Sequence, residues 1–349
     1  MADNKRDILS LTLNELKDFL EKNNEKSFRI AQVYEWLWKK HCKSFDEMTN
    51  ISKALRDLLG AHFFIQSVKP ENLQISKDKT IKVAFRLFDN SWVEGVLIPS
   101  EDRSTACISS QVGCNLGCEF CATGKLGLKR NLSIGEIYHQ VVELMTLAKD
   151  KYNLSLTNIV LMGMGEPLLN YENVLKAIEM ISSEKGLGMS PQRITLSTAG
   201  LPRMIKRLAD DNVKFGLAVS LHSANETKRS SFMPVNNHNS LESLKEALIY
   251  FNKKTGERIT FEYLLMDGIN DSIADAKELA EYCKSFPVKI NLIEYNSTGN
   301  QKFNKSNSKA TDAFVSFLKS RNMIVNVRRS RGQDIDAACG QLAGKKQGK

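Results

Sequence analysis

Thr105-Ala-Cys-Ile-Ser-Ser-Gln-Val-Gly-Cys-Asn-Leu-Gly-Cys-Glu-Phe-Cys-Ala-Thr-Gly124 starts as a short apolar strand and runs straight into Cys114-x3-Cys118-x2-Cys121, three of the chain's seven cysteines. A structural zinc ion takes a closed set of four ligands, whereas an iron-sulfur cubane held by three thiolates leaves one iron open for a substrate or cofactor. The missing fourth ligand is the clue. A strand that ends in its functional loop is the arrangement of parallel barrels, in which chemistry gathers after the strand C-termini.

Downstream, short apolar strands alternate with amphipathic helices, which predicts parallel strands with helical crossovers. The pattern puts strands near 105–108, 158–162, 193–197, 214–220, 258–264 and 289–294, and helices near 133–148, 171–184, 201–211, 240–254, 272–285 and 308–321. Six units are too few for a closed eight-unit barrel. The expected fold class is α/β, a partial (β/α)6 barrel open on one side. Residues 11 to about 63 repeat apolar positions at three- and four-residue steps (Leu16, Phe19, Leu20; Val33, Trp36, Leu37; Leu55, Leu58, Leu59), which predicts a small helical domain. From Lys79 the period becomes two, with a turn at Asp89-Asn-Ser91, so a β-hairpin joins the parts. The expected boundaries are a helical domain over 1–78, a hairpin over 79–99, the core over 100–334 and a tail over 335–349. The polar stretch 299–309 reads as a mobile loop.

The chain has 349 residues, 42% of them hydrophobic, and a net charge of +9, which suits a polyanionic partner without requiring one. The polar start Met-Ala-Asp-Asn-Lys-Arg-Asp has no apolar signal region, and no run is long enough to cross a bilayer. A cytoplasmic protein without membrane contact is expected. In a reducing compartment, clustered cysteines indicate metal or redox chemistry in place of a disulfide framework.

The segments after the strands carry small polar residues. They are Met162-Gly-Met-Gly-Glu-Pro167, in which glycines would let the backbone approach a ligand and Glu166 would accept hydrogen bonds, then Ser197-Thr-Ala-Gly200, Ser220-Leu-His222 and Glu294-Tyr-Asn296. Together they suggest a cofactor cradle. Cys107 and Cys339 lie outside the cluster spacing, and Cys339, in a Gly-flanked segment near the C-terminus, has the context of a nucleophile or of half of an exchanging disulfide. Cys42 and Cys283 belong to amphipathic stretches and read as buried structural thiols. Glu94 shares a strand face with Trp92, Val96 and Ile98; it is either a general base or a salt-bridged or solvated surface acid.

Cys114-x3-Cys118-x2-Cys121 with Gly124 resembles the signature of radical S-adenosylmethionine enzymes. Ser110-Gln-Val-Gly-Cys114, Ala122-Thr-Gly-Lys-Leu-Gly-Leu-Lys-Arg-Asn131, Gly163-Met-Gly-Glu-Pro-Leu-Leu-Asn-Tyr171, Ser220-Leu-His222 and Arg328-Arg-Ser-Arg-Gly-Gln-Asp-Ile-Asp-Ala-Ala-Cys-Gly-Gln-Leu342 narrow the resemblance to the RlmN family of dual-specificity RNA adenosine methyltransferases. The resemblance implies a [4Fe-4S] cluster on the three motif cysteines and S-adenosylmethionine on Gly165, Glu166, Ser197, Ser220, Leu221, His222 and Asn296. It implies that Cys339 carries the methyl group as S-methylcysteine, that Cys107 forms a transient disulfide with it, and that Glu94 is the proton acceptor. Ser297 departs from the proline that often follows the asparagine in this family.

By the same resemblance the product is C-2-methylated adenosine in the peptidyl-transferase centre of 23S rRNA and beside the anticodon of tRNA. Two S-adenosylmethionine molecules are consumed, one to methylate Cys339 and one cleaved reductively to a radical that activates the S-methyl group. An external electron donor and a disulfide reductant are needed, and the enzyme is expected to be a monomer. Lys125, Lys129, Arg130, Arg328, Arg329 and Arg331 are candidate phosphate contacts. Two alternatives stay open here: a Cfr-type enzyme that methylates C-8 of the same rRNA adenosine, and a non-catalytic RNA-binding protein with zinc on Cys107, Cys114, Cys118 and Cys121.

Overall fold

A computed structural model of the chain describes residues 5–101 and 103–343. Positions 1–4 of the polar start, Asp102 of the core and positions 344–349 of the tail lie outside them. In chain order the strands and helices are β1 (Arg6–Asp7), α1 (Leu13–Lys22), α2 (Phe28–Trp38), α3 (Lys53–His62), β2 (Phe63–Phe64), β3 (Lys69–Ile75), β4 (Ile81–Arg86), β5 (Trp92–Pro99), β6 (Ser104–Cys107), β7 (Gln111–Cys114), β8 (Gly127–Asn131) and α4 (Ile134–Tyr152). They continue with β9 (Asn158–Leu161), α5 (Tyr171–Ser182), β10 (Ile194–Thr198), α6 (Pro202–Asp210), β11 (Gly216–Ser220), α7 (Glu226–Phe232), α8 (Leu241–Thr255), β12 (Ile259–Leu265), α9 (Ile273–Tyr282), β13 (Val288–Glu294), α10 (Ser308–Ser320) and β14 (Ile324–Arg328).

Among the described residues, ten strands form one sheet in the order β14-β13-β12-β11-β10-β9-β6-β5-β4-β3. From β6 through β9 to β14 every neighbour is parallel. This is the expected partial barrel, and the six strands and six helices read from periodicity are all present. Helix starts follow local chemistry. Ser133 caps α4 and Glu136 reaches back to the Ser133 N–H, while Asn153 ends the helix in the left-handed conformation. Ser272 and Asp275 make the same reciprocal cap on α9.

The hairpin β4-β5 does more than join two domains. β5 pairs antiparallel with β6 and β4 with β3, so the barrel sheet runs on without a break into antiparallel strands. Residues 69–75, inside the stretch read as helical, are a strand paired antiparallel with β4, and alternate side chains of Lys-Pro-Glu-Asn-Leu-Gln-Ile are only partly buried. The seventh parallel strand, β14, lies outside the six read from sequence and is likewise largely exposed. The helical segment packs as its periodicity requires, with Leu16, Leu20, Val33, Leu37, Leu55 and Leu59 buried. It is tied to the core where the Tyr138 hydroxyl on α4 donates to the Trp38 carbonyl. The stretch 299–309 is anchored: Phe303 is buried, Lys302 pairs with Glu119 at 2.7 Å, and the Ser306 hydroxyl donates to Asp271.

Candidate active site

One cavity of about 270 Å³ opens at the C-terminal ends of the parallel strands. It is lined by Cys114, Cys118 and Cys121, by Gly165, Glu166, Ser197, Ser220, His222 and Asn296, and by Cys107 and Cys339. Residues far apart in the chain meet there because they lie at the ends of neighbouring strands or in the segments that follow them. Leu221 and Glu94 are not part of the lining. Leu221 is fully buried and contributes backbone, its N–H bonding the Glu262 carbonyl and its own carbonyl accepting from Arg229.

The three motif thiols are close enough to act on one another. Burial first, and then Cys121 and Cys114, push the Cys118 thiol up, while burial pushes Cys114 up to about 11. A cubane spreads its thiolates over separate irons, whereas zinc draws every sulfur to about 2.3 Å of one point. The donor set of three thiols facing an open cavity fits a cluster with one free iron. Arg229, fully buried, is the cation that acts on Cys118. Its guanidinium donates to the carbonyls of Ala199 (2.6 Å), Ser220 (3.3 Å) and Leu221 (3.0 Å) and to Asn236 Oδ1 (2.6 Å), clamping the ends of β10 and β11 together.

The glycines after β9 line the cavity and are also required by close packing within the chain. A Cβ at Gly163 would lie 2.7 Å from the Ile108 carbonyl, and one at Gly165, where φ is +99°, would lie 2.5 Å from Gln111 Cβ. The backbone approached so closely is the entry to the cysteine loop. Glu166 is fixed by the chain as well: Oε2 accepts the Ala199 N–H at 2.7 Å and Oε1 the Leu168 N–H at 3.1 Å. Burial raises its carboxyl to about 7 against those hydrogen bonds. His222 sits at φ +59° with Nδ1 accepting the Leu264 N–H at 3.0 Å, so the neutral ring carries its proton on Nε2. Burial, helped by Arg229, lowers its pKa to about 3.

Cys107, at the end of β6, and Cys339, in the tail, both line the cavity, and charge on Cys339 acts on the Cys107 thiol. Burial, then the Cys339 charge, pushes the Cys107 thiol up to about 12; Arg328 works in the opposite direction. Cys339 keeps exposed surface, while desolvation of its sulfur raises its pKa and Arg328 lowers it. The tail is held over the site by Asn296, whose Nδ2 donates to the Cys339 carbonyl at 3.3 Å and whose Oδ1 accepts Gln333 Nε2 at 2.7 Å. The Ala122 N–H binds the Gly340 carbonyl (2.7 Å) and Thr123 Oγ1 the Leu342 carbonyl (2.6 Å), which joins tail to cysteine loop, and Gln341 Nε2 binds the Ser297 carbonyl (3.1 Å) after β13. Cys42 and Cys283 are buried away from the cavity.

Glu94 is buried on β5 beside Lys82 of β4, with Nζ 3.4 Å from Oε1, and Oε2 accepts the Ala343 N–H at 2.7 Å. Its strand face is therefore not wholly apolar. The candidate phosphate contacts each have a partner within the chain. Arg130 pairs with Asp89 and Glu136, Lys129 with Asp89, Arg328 with Glu262, Arg329 with Glu294 and Arg331 with Asp78, while Lys125 reaches the Thr298 carbonyl. Sequence reading passed over Lys82, Arg229 and Glu262. A lone charge inside an apolar run, as in Ile259-Thr-Phe-Glu-Tyr-Leu-Leu265, was the available signal.

Residues 108–282 match the radical SAM superfamily model and residues 6–65 the ribosomal RNA large subunit methyltransferase N-terminal domain. A Cytophaga hutchinsonii protein named "Probable dual-specificity RNA methyltransferase RlmN" is 55% identical over 97% of this chain and 93% of its own length. The chain belongs to the RlmN family of radical S-adenosylmethionine enzymes. A Flavobacterium johnsoniae protein of the same name is 51% identical over 99% of both chains. The crystal structure of a radical SAM methyltransferase from Sphaerobacter thermophilus superposes with a TM-score of 0.92 at 40% identity, over 97% of this chain and 100% of that one. Membership of the RlmN family implies S-adenosylmethionine and an iron-sulfur cluster, which the three facing thiols suit. Among the described residues no helix is long and apolar enough to cross a membrane.

Proposed function

We propose that this member of the RlmN family methylates C-2 of adenosine in the peptidyl-transferase centre of 23S rRNA and beside the anticodon of tRNA, in the cytoplasm and as a monomer. The observation that carries this reading is that the cysteine triad, Cys107 and Cys339 line one cavity. A radical enzyme of another purpose has no need for two further thiols acting on each other. Adenine C-2 lies between two electron-poor ring nitrogens and is a poor nucleophile, so simple methyl displacement does not reach it.

A [4Fe-4S] cluster on Cys114, Cys118 and Cys121, with S-adenosylmethionine bound beside it, supplies the methyl group and the one-electron chemistry that activates it. The chain's own residues do the rest. Cys339, on the tail at the cavity, accepts the methyl and presents it to the base; once that group has lost a hydrogen atom to the one-electron chemistry its carbon bonds to C-2, which joins Cys339 to RNA, and the adduct gives up one electron. Glu94 accepts the C-2 proton, with Lys82 as its cation. The Cys107 thiolate then attacks the Cys339 sulfur: the sulfur-carbon bond to RNA breaks, carbon leaves with the electron pair and takes up a proton to complete the methyl group, and a disulfide forms. Arg328, which favours the charged form of both thiols, eases that attack. An electron donor and a dithiol reductant from outside reset the enzyme. An unpaired adenosine is the substrate most easily splayed into such a cavity.

Mass spectrometry of digested rRNA and tRNA from a strain lacking the gene tests the reading. Loss of 2-methyladenosine from both RNAs is expected. Its persistence, or loss of 8-methyladenosine in its place, removes the C-2 assignment.

A further inference from the structure

Glu262 stands on β12 between Ser220 of β11 and Asn291 of β13, its partners in register, and its side chain lines the cavity. It is only 3% exposed. Oε1 accepts Asn291 Nδ2 at 2.8 Å, and Asn291 Oδ1 in turn accepts Asn326 Nδ2 at 3.3 Å. Arg328 approaches Oε1 at 3.6 Å, too far for a hydrogen bond. Oε2 has no hydrogen-bond partner. A buried acceptor left without a donor is costly, and such an atom in a cavity wall marks a place where a ligand supplies the donor.

Its position says which ligand. Glu262, Arg328 and Cys339 line the same cavity, and Arg328, Glu262 and Cys121 are the charges that act on the Cys339 sulfur, so Glu262 belongs to the part of the cavity where the methyl group changes hands. The Cys107–Cys339 chemistry, in contrast, makes no use of it. We infer that Oε2 of Glu262 accepts a hydrogen bond from the exocyclic amino group of the target adenine and so selects adenine over bases without that donor. This rests on the adenosine reading above. A 6-oxopurine would set a carbonyl oxygen against the carboxylate, and a purine without a 6-substituent would leave Oε2 unpaired. A well-placed base contact of this kind is worth about 10- to 100-fold in discrimination.

The test exploits the fixed orientation of Asn291. In Glu262→Gln the amide carbonyl stays on Asn291 Nδ2, and an NH2 donor replaces Oε2. Reconstituted holoenzyme is given an RNA hairpin with adenosine, purine riboside or inosine at the target position, and kcat/KM for methyl transfer is measured beside S-adenosylmethionine binding. The wild type should prefer adenosine about 10- to 100-fold over the other two, and Glu262→Gln should lose that preference and shift toward inosine, with cofactor affinity unchanged. An unaltered preference for adenosine in Glu262→Gln overturns the inference, and so does a matching loss of S-adenosylmethionine binding, which would give Oε2 to the cofactor. A wild-type enzyme that methylates none of the three RNAs fails the adenosine reading itself, a different result.

Discussion

Lys82 Nζ lies 3.4 Å from Glu94 Oε1, both side chains almost wholly buried, and each is also bound to the tail that carries Cys339: Lys82 donates to the Asp336 carbonyl at 3.3 Å, and Glu94 accepts the Ala343 N–H at 2.7 Å. The charge pair and the position of Cys339 are thus parts of one assembly. Removing one partner of a buried pair costs about 3–5 kcal/mol because the other charge is left in low dielectric, whereas replacing both with apolar groups costs far less. Lys82→Met should destabilise the fold by about that amount, and Lys82→Met with Glu94→Leu by clearly less than the two single changes together. Urea denaturation of the four proteins measures it, and additive effects would mean that the pair is not coupled.

Cys339→Ala should abolish methyl transfer and leave the iron content intact, since its sulfur is no part of the triad. Iron and sulfide analysis of the anaerobically purified variant decides between these roles; loss of the cluster would make Cys339 a ligand.

Cys107→Ala should stall the enzyme while it is joined to RNA. A gel shift that survives denaturant and disappears with ribonuclease is the expected sign. If product is released at the wild-type rate, Cys107 does not resolve the adduct.

Asp78 holds the start of the tail. It accepts the Gly332 N–H at 2.9 Å and Arg331 Nε at 3.0 Å, and neighbouring Ser76 donates to Asp334 at 2.6 Å. Although burial raises its carboxyl, hydrogen bonds from Thr80 and Gly332 and the Arg331 charge hold it at about 2, so the anchor persists at any physiological pH. Asp78→Ala should slow methylation of Cys339 while cofactor affinity stays near the wild-type value, and limited proteolysis should cut the tail faster. Unchanged proteolysis would show that the other tail contacts suffice.

His222 should contribute a pH dependence of known sign. Its folded pKa is about 3 against 6.5 unfolded, so between these values the unfolded chain binds the extra proton and stability falls as pH falls. At about 1.4 kcal/mol per unit, roughly 2 kcal/mol is lost from pH 6.5 to 5. His222→Asn keeps an acceptor for Leu264 without the titration, and the stability gap between it and the wild type should narrow by about that much over this range. A gap that stays constant with pH would mean that His222 is not held neutral.

The two strands of the ten-stranded sheet that the sequence reading lacks, β3 and β14, are its two edges. An edge strand is covered on few sides, so its alternation is faint. Central strands such as β11, with Leu217, Ala218 and Val219 buried, announce themselves. The same reasoning explains the site. Cys114, Cys118 and Cys121 are neighbours in sequence and legible by spacing, and the cradle residues are legible because each ends a strand. Lys82 alternates with Ile81 and Val83 and passes for a solvent-facing lysine; only the pairing of β4 with β5 and the tail above them bury it. The cations flanking the site looked free for phosphate, yet Asp78, Asp89, Glu262 and Glu294 reach most of them from other elements.

By itself the sequence determined the alternation of strands and helices, the open barrel that follows from six such units, and the three-thiol loop after the first parallel strand, all of which rest on periodicity and local spacing. Only the tertiary structure decided that Cys107 and Cys339 line one cavity, that Glu94 is paired with Lys82 beneath the tail, and that Glu262 keeps one oxygen without a donor. Those are facts about burial and partners across strands, and a carboxylate or thiol carries no mark in its own sequence neighbourhood of what the fold will set against it.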